Sequence, residues 1–217
     1  MKTIDTHGIT YIEPVPEGTS EWYYGISKEY GDLYEAEETF RRGRSIKGNS
    51  LCLIHFPDGE VFWPFPKTIG ICTGKPVYLN DHIYFPNVDF VNRMICIFCF
   101  DCQDHETELQ IRLPLKSVRS CYNLQLHGSP LSLTRQGEEG LFEIIWPERI
   151  SFKMDPHESF FLREDDRLYF WKWYEEGDGS DYRYWEETVV RSMEGKVLEI
   201  LPGDVRIMPD GEMWHLK

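Results

Sequence analysis

Short strand-like runs in which both alternating faces are apolar recur from one end of this chain to the other, separated by Pro-Asp-Gly and Gly-rich turns. In the run 94–100, successive side chains of a strand point to opposite sides. Met94, Cys96, Phe98 and Phe100 then line one face, and Ile95, Ile97 and Cys99 the other. Both faces must therefore be covered. The runs 51–56, 141–146 and 168–174 read the same way, whereas a sheet wetted on one side would alternate apolar with polar residues. The pattern predicts burial of Ile97, Phe98, Ile144, Ile145, Phe170 and Trp171, although adjacent members face opposite ways.

The runs fall into groups of four. One group comprises residues 77–79, 83–90, 94–100 and 108–113, and its last member alternates Leu109, Ile111 and Leu113 with Glu108, Gln110 and Arg112. A second comprises residues 159–162, 168–174, 182–190 and 196–201, with a shorter group over 121–154 between them. Inner strands covered on both faces and a more polar outer strand are what a propeller blade requires. Two turns nearly repeat, Phe56-Pro57-Asp58-Gly59-Glu60 and Met208-Pro209-Asp210-Gly211-Glu212, and Asp-Gly between apolar runs signals a hairpin. In strand rhythm the chain resembles β-propeller proteins, although no Trp-Asp or kelch signature recurs. A single all-β antiparallel domain over 1–217 is expected, with about five blades and the two terminal runs sharing the closing one. The alternatives are a lipocalin-like barrel or a β-sandwich. Residues 33–40 carry both a helical spacing (Leu33, Ala36, Glu37, Phe40) and a strand alternation through Tyr34 and Ala36, and the strand is slightly favoured.

Charge narrows the partners. Lys and Arg number 23 against 37 Asp and Glu, a formal charge of −14, which disfavours nucleic acid and anionic membranes. The densest basic cluster, Arg41-Arg42-Gly43-Arg44, reads as a solvated turn. No stretch resembles a signal peptide or approaches the roughly 20 apolar residues of a membrane span, so a cytoplasmic protein with reduced cysteines is expected.

The spacing of Cys96, Cys99 and Cys102 is that of a metal or redox site, but on a strand Cys99 faces away from the other two, so core packing is the better reading. Gly70–Lys75 has one residue too few for a phosphate loop and continues with Pro76; the acidic stretch 176–181 lacks the Gly that a Ca²⁺ loop needs at its sixth place. Seven scattered histidines show no metalloprotease pair, and neither G-x-S-x-G nor a dinucleotide fingerprint is present. No cofactor and no metal are expected.

The most varied polar segment is 127–136. His127, Ser129 and Arg135 are the candidate binding residues, with Ser132 nearby, while a structural ion pair is the favoured use of Arg135. Glu21-Trp22-Tyr23-Tyr24 resembles the Glu-Trp-Trp-Tyr signature that opens the hydroxyneurosporene synthase and tocopherol cyclase group. That resemblance implies a lipocalin-like barrel and a binder, isomerase or hydratase of an isoprenoid-like apolar molecule. Seven Trp among many carboxylates raise a carbohydrate-binding or carbohydrate-cleaving reading as well. The preferred reading is a non-catalytic scaffold that binds a protein or a small ligand.

Overall fold

In a computed structural model, which describes residues 1–16, 18–208, 210 and 212–216, the chain forms four antiparallel sheets in a propeller-like arrangement. Blade 1 comprises β1 (Glu13–Pro14), β2 (Trp22–Ile26), β3 (Leu51–His55) and β4 (Val61–Phe62). Blade 2 has β5 (Ile71–Thr73) and β6 (Val77–Leu79) side by side along the edge of β7 (His82–Asp89), followed by β8 (Met94–Asp101) and β9 (Thr107–Pro114). Blade 3 contains β10 (Leu124–His127), β11 (Ser132–Gln136), β12 (Leu141–Trp146) and β13 (Ile150–Lys153). Blade 4 contains β14 (Glu158–Glu164), β15 (Arg167–Glu176), β16 (Arg183–Ser192) and β17 (Val197–Pro202).

There are four blades rather than about five, and the termini do not share one. β1 pairs with β2 of its own blade, while β18 (Asp204–Ile207) and β19 (Met213–Leu216) pair with each other as a separate ribbon. The stretch before β1, the helix-containing segment between β2 and β3, and the β18–β19 ribbon take up the residues of a fifth blade. A barrel or sandwich is excluded by the same topology, and Trp22 and Tyr24 of the lipocalin-like signature are core residues of blade 1.

Apolar clusters join successive blades. Leu53, Ile83, Phe85 and Phe100 fill the space between blades 1 and 2; Val88, Ile95, Leu126 and Leu133 fill that between 2 and 3; Phe142, Phe170 and Val189 fill that between 3 and 4. Ile97, Ile144, Ile145 and Phe170 are buried as the double-faced pattern requires. Phe98 and Trp171 are only half-buried. Phe98 sits where the β8–β9 register shifts: Ile97 faces Ile111 but Phe98 faces Leu109, which leaves Gln110 as an extra residue. The shift breaks the alternation of β9, and Leu109 is exposed.

Residues 33–41 are helical rather than extended: α1 spans Leu33–Arg41. Asp32 caps it, its carboxylate accepting from the Glu35 amide at 2.8 Å, while Glu35 reaches back to accept from the Gly31 amide at 2.9 Å. Glu37–Arg41 and Glu38–Arg42 add pairs one turn apart. Leu33, Ala36 and Glu37 are buried, so the helical face outweighs the local alternation. The basic cluster is the end of this helix. Arg41 and Arg42 answer their own acids, and Gly43 supplies a positive φ of 72° just past the helix.

The Pro-Asp-Gly turn at 57–59 joins β3 to β4, with Gly59 at φ 71° and the Glu60 amide donating to Asp58 at 2.8 Å. Pro209 and Gly211 of the matching turn lie outside the described residues. Residues 176–181 form an exposed hairpin end between β15 and β16, in which Glu176 faces Arg183. All six cysteines are free thiols, and no group of three or more potential ligands could hold a metal ion among the described residues. No helix among them is long and apolar enough to cross a membrane.

Candidate functional site

The strands at the start of each blade border a groove. In β10 the sequence Leu124-Gln125-Leu126-His127 alternates, so Leu124 and Leu126 enter the core while Gln125 and His127 face the opposite way. Asn123 precedes the strand at φ 46°, a left-handed conformation that Asn tolerates better than most residues. On one side of Asn123 and Gln125 lies a cavity of about 480 Å³ between blades 1, 2 and 3, bordered by Glu13, Tyr24, Thr73 and the start of α1. On their other side a cavity of about 250 Å³ continues to His127, Thr134, Gln136, Ser159 and Phe160 between blades 3 and 4. Asn123 and Gln125 border both cavities, so the two adjoin at these residues as the two ends of a groove.

Its ends differ in charge. At the blade 1 end the Tyr24 hydroxyl donates to Glu13, and Lys75 stands 3.7 Å from the same carboxylate. The tyrosine hydrogen bond, helped by Lys75, holds the Glu13 carboxyl below its ordinary range, while burial and then Glu13 push the Tyr24 phenol up. At the far end burial brings the His127 imidazole down to about 4, against a weaker opposing hydrogen bond with the Phe161 backbone. The ring meets Phe160 edge-on at 4.6 Å. Near neutral pH this end offers amide, hydroxyl and uncharged imidazole groups.

Side-chain amides hold the groove's walls in place. Asn49 donates to the Thr73 carbonyl and accepts from the Thr73 amide, both at 2.8 Å, and so ties blade 1 to β5. Gln136 does the same between blades 3 and 4, donating to the Glu158 carbonyl and accepting from the Phe160 amide at 3.2 Å.

The three candidate residues are not brought together. His127 lines the groove, Ser129 is exposed in the turn after β10, and Arg135 lies on the other face of blade 3. Register explains the separation: His127 faces Ser132, whereas Arg135 faces Leu124, three residues away and hence of opposite parity. Arg135 is 2% exposed and donates to Ser120 O and Oγ, to Glu139 and to Glu143. Ser132 is buried. Asn123 and Gln125 escaped the sequence reading, although the alternation of β10 carries the signal for Gln125, and Gln136 fell within the polar segment 127–136 without being singled out. None of the seven Trp lines the groove. Compared with protein-family models and with curated proteins, the chain matches none of them.

Proposed function

We propose that this is a non-catalytic binding protein whose groove holds a small, uncharged, hydroxyl-rich molecule of the saccharide type. The observation that carries this reading is the far end of the groove, where a neutral His127 stands with Asn123, Gln125 and Ser159 beside the ring of Phe160. Amides and a neutral imidazole donate and accept at once, as hydroxyl groups do, and a neutral ligand leaves no buried charge to compensate. The acidic balance favours such a ligand over phosphate-rich polymers. Six free thiols, four of them buried, suit a reducing compartment such as the cytoplasm.

Titration calorimetry with neutral mono- and disaccharides tests the reading. Saturable heat that disappears in His127→Ala and Gln125→Ala, with both variants still folded, supports it. Absence of heat across neutral saccharides, or heat indifferent to both substitutions, rejects it.

A further inference from the structure

A second row of side chains crosses blade 2 from edge to edge, on the face turned to blade 1. Thr73 stands opposite Asn87, Asn87 opposite Cys96, and Cys96 opposite Arg112, so four strands present these residues in line. Their neighbours Cys72, Val88 and Ile95 have the other parity and enter the core toward blade 3. With Leu51 and Phe65 from blade 1, the row lines a cavity of about 460 Å³, within the usual range for small-molecule sites. The Asn49–Thr73 clasp borders both this cavity and the groove.

Most polar groups here already have partners. Asn49 is occupied with Thr73, and both oxygens of Asp89 accept from Asn92, from its amide at 2.8 Å and its Nδ2 at 2.7 Å. Burial keeps the Cys96 thiol protonated, against a weaker pull from Arg112. Two groups stand out. Asn87 is 5% exposed, yet its Oδ1 has no hydrogen-bond partner. A buried acceptor without a donor is uncommon in native proteins, because its lost hydration is not replaced. Arg112, at the outer end of the row, makes no ion pair among the described residues, in a chain where acids outnumber bases 37 to 23.

We propose that this cavity binds a small carboxylate bearing an N–H donor and an apolar side group, the chemistry of an N-acylated amino acid. The ligand's N–H donates to Asn87 Oδ1, its carboxylate takes the fork of Arg112, and its side group lies against Leu51, Phe65 and Phe98. Asn87 and Arg112 are two strand spacings apart, about 10 Å. Both line the same cavity, so one small ligand can meet the two at once.

The test uses the full chain with N-acetyl-L-phenylalanine and N-acetyl-L-leucine, each compared with its primary amide, by titration calorimetry and saturation-transfer NMR. The acids bind saturably. Neutral amides, Arg112→Gln and Asn87→Leu each weaken the binding by about tenfold or more, and His127→Ala leaves it unchanged. Arg112 is exposed, so its variant stays folded even if Asn87→Leu does not. The proposal falls if neither acid binds saturably, if acids and amides bind alike, or if Arg112→Gln binds as the unaltered chain does. A folded Asn87→Leu that retains full affinity overturns it too, since the oxygen then takes no part in binding. Saccharide binding in the groove is read separately, so either proposal can fail alone.

Discussion

Arg135 and Glu143 face each other across β11 and β12, and the arginine Nη1 donates to the Glu143 carboxylate at 2.7 Å from a position only 2% exposed. The same guanidinium reaches Ser120 and Glu139, so its fork is taken up within blade 3 and the loop before it. Arg135→Ala leaves Glu143 and the Ser120 carbonyl without their donor and should cost about 3 to 5 kcal/mol. Calorimetry should then show the melting temperature falling by roughly ten degrees. A shift within the error of the scan would mean that water replaces the guanidinium without loss.

The His127 imidazole has a pKa of about 4 in the fold against an ordinary 6.5. Below 6.5 the unfolded chain takes up a proton that the folded chain refuses, so this residue's contribution is complete above that value and declines as pH falls toward 4. Between pH 7 and pH 5 the loss should be about 1 to 2 kcal/mol. Urea melts at the two pH values, compared between the unaltered chain and His127→Gln, isolate it. Equal pH dependence in the two proteins would show that the ring protonates in the fold as easily as in water.

Phe170 is fully buried, and its ring lies 5.1 Å from Phe142 and 5.5 Å from Phe160 at the junction of blades 3 and 4. Phe170→Ala should cost about 3 to 5 kcal/mol, and its effect should not add to that of Phe142→Ala, because the two vacated spaces merge. Half-buried Phe98 should cost clearly less when truncated. Denaturant titration of the four variants decides this, and an equal penalty at Phe98 would contradict the difference in burial.

Burial pushes the thiols of Cys72 and Cys102 up to about 12, and those of Cys52, Cys96, Cys99 and Cys121 up as well. The thiolate is the reactive form. A chromogenic disulfide should therefore modify the native protein slowly at neutral pH and all six cysteines rapidly once it is denatured. Fast native reaction at one cysteine would identify a thiol whose surroundings favour the anion.

The strands of blades 2 and 4 were legible because adjacent apolar residues on opposite faces demand cover on both sides, and Ile97 and Phe170 show it directly. The helix at Leu33 was ambiguous in its apolar spacing, and the cap at Asp32 that decides it depends on a turn geometry that hydrophobic periodicity does not express. His127 was legible as a polar residue in a turn. Its separation from Arg135 was not, since their relative parity depends on the hairpin register between β10 and β11, which spacing alone leaves open. Asn87 was invisible for a different reason: one amide in the run 83–90 reads as a local exception until the strands on either side place Thr73, Cys96 and Arg112 in line with it.

The clasps made by Asn49 and Gln136 have a further consequence. A primary amide offers a donor and an acceptor much as a peptide unit does, and each clasp occupies the unpaired side of an edge strand, β5 in one case and β14 in the other. Those edges are the places where a foreign chain could add itself by backbone pairing and start self-assembly. Each amide acts as a one-residue mock strand. It ends the ladder where another molecule would otherwise extend it, and anything entering between the blades there must be recognised through side chains instead of by joining the sheet.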